Sequence, residues 1–188
     1  MRVGILGGTF NPVHNGHINL AAEAFRKLRL DRIIFVPAKI PPHKIGHNIL
    51  PAKERYKMVK LAIKGTPYFR ISDYEIKSKG TSYSVKTLKA FRKKFGENAS
   101  LFFITGSDSL SQIRAWKHLD RIMELADFVA ARRPGYRITR VKGASIIDIP
   151  VMGISSSAIR QRIKKGLSIK RLVPGPVYKY INKKGFYR

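Results

Sequence analysis

The chain has 188 residues, no cysteine, 44% hydrophobic content and a formal net charge of +27. That length and apolar share suit one domain with a real core, spanning 1–188, and exclude disulfides or a thiolate metal site. No apolar run approaches a membrane span and Met1-Arg2 leads straight into a strand, so a soluble cytoplasmic protein is expected.

Val3, Ile5 and Leu6 form a short apolar run that reads as a buried strand. Gly7 and Gly8 follow, and their missing Cβ atoms let a phosphate approach backbone N–H groups. Beyond the turn, His17, Leu20, Ala21, Ala24 and Leu28 share one helical face, with Phe25 beside them. Strand, Gly-rich turn and helix make half of a βαβ unit whose helix N-terminus favours anions. His14 and His17 stand at the mouth of the turn, where two imidazoles can donate to phosphate oxygens or simply cap the helix. They are not a zinc pair of the metalloprotease kind, which needs His at i and i+4 with Glu between.

Gly7 to His17 resembles the Gly-Gly-Thr-Phe-Asp-Pro-x-His-x-Gly-His signature of the nucleotidyltransferase superfamily that moves AMP or CMP onto phosphate-bearing acceptors. The resemblance implies a Rossmann-like, doubly wound α/β fold with a mainly parallel sheet and helices on both faces. It also implies catalytic roles for His14 and His17, and ATP or phosphate contacts at Gly8, Thr9 and Phe10. Asn11 replaces the usual Asp, which an amide can do if that carboxylate serves only to orient the turn.

Arg32 to Val36 reads as the second strand, and the prolines at 37, 41 and 42 keep the following loop extended as far as Lys44. Lys39, His43 and Lys44 bring cations to it, and Lys44 is expected to line the substrate site. Pro51 to Lys64 reads as a helix, and Phe69 to Ile76 as a strand broken by Asp73. A further helix begins in Thr81 to Leu88, with hydroxyl residues available to cap it. That run is similar to the Thr-Ser-Tyr-Thr-x-x-Thr-Leu segment of nicotinate mononucleotide adenylyltransferases, which implies substrate contacts at Thr81, Ser82 and Tyr83.

Leu101 to Thr105 is a strongly apolar strand followed by Gly106 and Asp108, at the carboxyl end where ligands bind in open α/β sheets. In the resembling family these positions meet the ribose of the adenosine, and a tryptophan placed like Trp116 stacks on the pyridine ring. Asp127 to Ala131 and Ser145 to Ile149 read as the last strands, with a turn at Arg132–Gly135 between them. Ile154 to Arg160 looks like the second signature, Ile-Ser-Ser-Thr-x-Ile-Arg. Its serines cap a helix, Ser155 and Ser156 face phosphate, and Arg160 forks onto phosphate oxygens. Pro174 to Ile181 is similar to the closing helix of the family. No internal repeat, low-complexity tract or linker is present.

The resemblance runs from residue 3 to about 182 and implies transfer of AMP from ATP to nicotinate mononucleotide, giving deamido-NAD and pyrophosphate in NAD biosynthesis. Mg²⁺ is the expected cofactor, bridging triphosphate oxygens and held through the substrate, with no protein ligand set. Another transferase of the same fold, such as one acting on phosphopantetheine, is the alternative, and the Thr81 to Leu88 run and Trp116 argue against it. From a different class comes a basic nucleic-acid-binding protein, but no Arg-Gly repeat or heptad-linked basic region supports a specific nucleic acid. Neither a membrane partner nor a fixed oligomeric state is implied, and a homo-oligomer is compatible with the sequence. The basic surface predicts weak, sequence-independent DNA or RNA binding at low salt that fades as salt rises, checked by an anisotropy titration. Sequence-specific binding that survives high salt would make nucleic acid the real partner.

Overall fold

The computed structural model describes residues 1–42, 49–106, 116–132, 142–150 and 152–188. Among these, six strands form one sheet: β1 (Arg2–Gly8), β2 (Arg32–Pro37), β3 (Phe69–Ile71), β4 (Ser100–Gly106), β5 (Asp127–Arg132) and β6 (Ala144–Asp148). Their order is β3-β2-β1-β4-β5-β6, and every pairing is parallel. The chain therefore winds outward in one direction from β1 to β3, then returns to the centre and winds the other way from β4. The two central strands β1 and β4 leave a crevice beyond their carboxyl ends, which is where such a sheet binds ligands.

The central strands are apolar on both faces because helices cover both. Val3, Ile5, Leu101, Phe103 and Phe128 pack with Leu88 and Phe91 of α4 (Ser84–Phe95) and with Ile122 and Leu125 of α5 (Leu119–Leu125). Leu6, Phe35, Phe102 and Ile104 point to the other face. There they meet α1 (Asn15–Lys27), α2 (Ala52–Ala62), α6 (Ser156–Lys164) and α7 (Gly175–Lys184). In α1 the buried residues are Gly16, Leu20, Ala21 and Ala24, the stripe that the sequence spacing predicts.

Three expectations need correction. The strand expected over Phe69 to Ile76 stops at Ile71, and the short helix α3 (Tyr74–Lys77) follows. Ser72 N–H still bonds to Phe35 carbonyl, but the backbone then turns, and Asp73 becomes the residue before a helix. The helix expected to begin within Thr81 to Leu88 does so at Ser84, but Tyr83 is its N-cap and the expected hydroxyl cap is absent. Thr81 and Ser82 instead precede the helix in a tight turn, where Tyr83 N–H donates to Thr81 carbonyl at 3.1 Å and Ser82 N–H to Ile40 carbonyl at 3.0 Å. The last strand runs Ala144–Asp148, one residue earlier than expected, and is an exposed edge. The end of the expected turn at Arg132–Gly135 lies outside the described residues. None of the described helices is long and apolar enough to cross a membrane.

Gly4 shows how closely the sheet is packed. A Cβ there would lie 2.7 Å from Leu30 Cδ1, 2.9 Å from Ile104 Cδ1 and 3.0 Å from Ile33 Cγ1. Three crowded neighbours leave the core no single direction in which to yield. Gly4→Ala should therefore lower stability by about 1–3 kcal/mol, read from the midpoint of urea unfolding at unchanged slope.

Candidate active site

A cavity of about 510 Å³ opens at the carboxyl ends of β1 and β4, bounded by Gly7, Gly8, Thr105 and Gly106. One end of it is made by the turn after β1. Phe10 there adopts φ +50°, an uncommon conformation for a side-chain-bearing residue, and its ring is fully buried. Such a conformation persists only where the surroundings over-determine it. Gly8 is one determinant, since a Cβ on it would sit 2.9 Å from the Phe10 ring. The Phe10 ring thus takes the place that a side chain on Gly8 would need, while Gly8 itself lines the cavity. The ring in turn packs edge-on against His17 at 5.0 Å.

His14 and His17 both line the cavity, with ring centroids 3.7 Å apart. His17 Nδ1 accepts the His14 backbone N–H at 3.2 Å, closing a capping box at the start of α1. Capping thus orients the His17 ring. Gly16 is needed because a Cβ there would meet the His14 ring at 3.0 Å.

The second helix at this end is α6. Ser155 is its N-cap and accepts Ala158 N–H at 3.1 Å, as expected of a hydroxyl in that place. Ser156 Oγ donates to Pro12 carbonyl at 2.9 Å, tying α6 to the turn. Ser155, Ser156 and Ser157 all line the cavity. Arg160 is not among the lining residues, and its guanidinium braces the turn from behind. One N–H donates to Asn11 carbonyl at 2.8 Å and another to Ser157 Oγ at 3.3 Å.

At the opposite end stand Ser82, Tyr83, Ser84, Trp116 and Lys117. Trp116 rests its indole edge-on against Phe103 and Phe128 at 5.7 and 5.8 Å while still lining the cavity. It therefore packs with the core while also bordering the cavity. Pro41 and Pro42 line the wall between the ends. Thr9 lines it too, but Thr81 does not, and Lys44 and Asp108 lie outside the described residues. No group of three potential metal-ligating side chains exists among the described residues.

Sequence reasoning missed three residues. Arg55 is almost fully buried and donates to the carbonyls of Thr9 (2.6 Å), Leu50 (2.9 Å) and Lys39 (3.2 Å). Burial lowers its pKa, opposed by the nearby Tyr187 and Glu75. Its signal was a cation on the apolar face of α2, three and four residues before Met58 and Val59. Glu75 lines the cavity and is buried. Tyr187 carried no local signal at all. Its hydroxyl donates to Asn11 Oδ1 at 2.9 Å, and burial pushes the phenol well above its ordinary pKa.

Asn11 Oδ1 also accepts Leu50 N–H at 3.3 Å, so the side chain acts here through its oxygen as an acceptor. A carboxylate offers the same oxygen, which explains how amide and acid can serve in one place. Asn11→Asp should therefore unfold within a few degrees of wild type. Asn11→Leu strands the buried Tyr187 hydroxyl and should cost about 1–3 kcal/mol, both read by thermal denaturation.

The cytidylyltransferase-like family model matches residues 5–162. A Clostridium tetani protein named "Probable nicotinate-nucleotide adenylyltransferase" is 44% identical, with 98% of each chain covered. A protein of the same name from Moorella thermoacetica is 40% identical over 100% of this chain and 92% of its own. Among solved structures, Plasmodium falciparum nicotinic acid mononucleotide adenylyltransferase complexed with NaAD superposes with a TM-score of 0.82. It is 20% identical and covers 99% of this chain and 97% of that one, so it speaks for the fold. Coverage of both chains from end to end, with the two signature turns meeting at one cavity, places this chain in the cytidylyltransferase-like family and, within it, among the nicotinate-nucleotide adenylyltransferases.

Proposed function

We propose that the chain transfers the adenylyl group of ATP to nicotinate mononucleotide, giving nicotinate adenine dinucleotide and pyrophosphate in NAD biosynthesis. The observation that carries this reading is the two-ended cavity. Two helix N-termini and two imidazoles lie at one end, and a tryptophan face with a third helix N-terminus lies at the other. The names of the full-length relatives support the same activity. A reaction among soluble nucleotides also supports a cytoplasmic location.

The acceptor phosphate, with a second pKa of about 6, is largely dianionic at neutral pH and needs no general base. Its oxygen attacks the α-phosphorus of ATP; the bond from that phosphorus to the bridging oxygen breaks, and pyrophosphate leaves with the electron pair. The protein's task is to align two polyanions and to receive the charge that builds on the leaving group. His17, oriented by its bond to His14 N–H, would donate to phosphate oxygens as that charge grows. The N–H groups opening α1 and α6 would hold the triphosphate, with Thr9 and Ser155 to Ser157 around it. Arg160, outside the cavity lining, would serve the phosphates by holding the turn at Asn11 and the start of α6 at Ser157. Mg²⁺ enters as part of the MgATP substrate, carried by phosphate oxygens and water.

At the other end Trp116 would stack on the pyridine ring, while the N-terminus of α4 would favour the nicotinate carboxylate over a neutral amide. Trp116→Ala should then weaken nicotinate and nicotinamide mononucleotides together. Pyrophosphate release with these two acceptors and phosphopantetheine in parallel tests the assignment. Nicotinate mononucleotide should give the highest kcat/KM, and a preference for phosphopantetheine would overturn the reading. His17→Ala should cut kcat by about 10²-fold or more with little change in KM. A rise in KM alone would remove its transition-state role. Arg160→Lys should also be slow, since an ammonium cannot span Asn11 and Ser157 as a planar fork does.

A further inference from the structure

Arg55 lies on α2, is 1% exposed and stands outside the cavity lining, so the reaction outlined above gives it no contact with substrate. Each of its three guanidinium nitrogens donates to a backbone carbonyl, and each carbonyl belongs to a different segment. Nη1 donates to Thr9 at 2.6 Å, Nε to Leu50 at 2.9 Å and Nη2 to Lys39 at 3.2 Å. Among the described residues Arg55 forms no ion pair. Burying a guanidinium is costly, and an apolar side chain beside Met58 and Val59 would avoid that cost. An apolar side chain could not hold three loops at once.

Two of these carbonyls stand just beyond the end of the sheet. The register of β1 and β2 closes with Gly8 against Pro37, and Ala38 N–H then donates to Gly8 carbonyl at 2.9 Å. Thr9 and Lys39 follow, and Arg55 bridges them where the ladder has ended. On its other side Lys39 N–H donates to Ser82 Oγ at 2.9 Å, and Ser82 N–H donates to Ile40 carbonyl at 3.0 Å. Thr9 and Ser82 both line the cavity. A hydrogen-bonded path therefore runs from Thr9 through Arg55 and Lys39 to Ser82, joining the turn after β1 to the opposite wall.

We propose that Arg55 is a positioning residue for the transfer: its planar guanidinium carries the register of β1 and β2 past the end of their ladder, so that the turn at Thr9 and the wall at Ser82 keep a fixed spacing. This rests on the reading of that turn as the triphosphate end and of Ser82, Tyr83 and Trp116 as the acceptor end. Arg55 touches neither substrate. It sets how far apart the two are held, and a reaction catalysed by alignment depends on that distance.

Arg55→Lys keeps the charge but puts all donors on one nitrogen, which cannot span three carbonyls. Two measurements on the full chain test the proposal. Hydrogen exchange of the Ser82 amide, which Arg55 does not touch, should quicken about tenfold in Arg55→Lys. The amides of Leu6 and Phe103 in the central strands should stay as in wild type. In kinetics at saturation, kcat should fall about tenfold or more. Titration calorimetry with ATP and with nicotinate mononucleotide, each alone, should still give one competent site per chain and Kd within about threefold of wild type, because each end stays intact and only their spacing is lost. Arg55→Gln, which keeps two N–H donors without the charge, should show the same split and reads the link should Arg55→Lys fail to fold. Unchanged exchange at Ser82 overturns the proposal whatever the enzyme acts on. So does a kcat equal to that of wild type, or one reduced only in proportion to the competent sites. Loss of the fold in both variants would make Arg55 a residue of general stability and equally overturns it. If wild type releases no pyrophosphate with nicotinate mononucleotide, the assigned reaction fails, while exchange at Ser82 still decides whether Arg55 links the two walls.

Discussion

The shape of the turn after β1 depends on the hydrogen bonds that converge on Asn11. Its side-chain oxygen accepts from Leu50, ahead of α2, and from Tyr187, near the last residue. Its backbone carbonyl accepts from Arg160 on α6. These donors are 39, 176 and 149 residues away in sequence, so the turn forms its final shape only when most of the chain is in place. Non-local closure of this kind costs entropy before any contact repays it. The reward is a turn with little freedom left, which catalysis by alignment requires.

The position of that turn follows from the winding of the sheet. β1 is paired on both sides, by β2 and by β4, so its end is fixed by two ladders. The crossovers from β1 and β4 leave toward opposite faces, and only where they part can a ligand reach backbone N–H groups without displacing a helix. α6 then folds back on the face that α1 already covers and lays its N-terminus beside the first. Ser156 secures this by donating to Pro12, across 144 residues. Two dipole ends thus meet at one place, although they come from segments at opposite ends of the sequence.

How much of this was legible in the sequence divides along the range of the forces involved. The strand, turn and helix from Val3 to Leu28 were readable because burial period, glycine and helical spacing are local signals. So was the Ser155 cap, whose bond closes within three residues. The strand overextended to Ile76 shows the limit. Apolar residues recur past Ile71 at Tyr74 and Ile76, but they belong to α3, where Glu75 meets Thr87 twelve residues on, a contact no short window contains. Arg55 was half-legible, as a cation on an apolar face whose partners could not be named. Tyr187 was invisible, because a tyrosine near a chain end has no local pattern to violate. Arg160 was found by its motif and given a direct phosphate contact, whereas the structure shows that part of its fork holds the turn.

The charge of the chain acquires a meaning from where carboxylates are missing. Eleven acidic residues stand against 38 lysines and arginines. α1, α4 and α6, whose N-terminal ends line the cavity, have no acid in their first turns, nor has α7, whereas α2, α3 and α5 carry Glu54, Glu75 and Asp120 there. An acid in such a turn ordinarily stabilises a helix by about 0.3–1 kcal/mol, so its absence from the three at the cavity costs stability. It also leaves each positive helix end unneutralised, with N–H groups that no side-chain carboxylate occupies. A phosphate or a ligand carboxylate then meets donors without having to displace an internal competitor. Glu75, the one acid among the described residues lining the cavity, is buried and accepts from the Thr87 hydroxyl within the wall. The same shortage of carboxylates that makes the chain basic therefore leaves the positive ends of three helices at the cavity without an acid in their first turns.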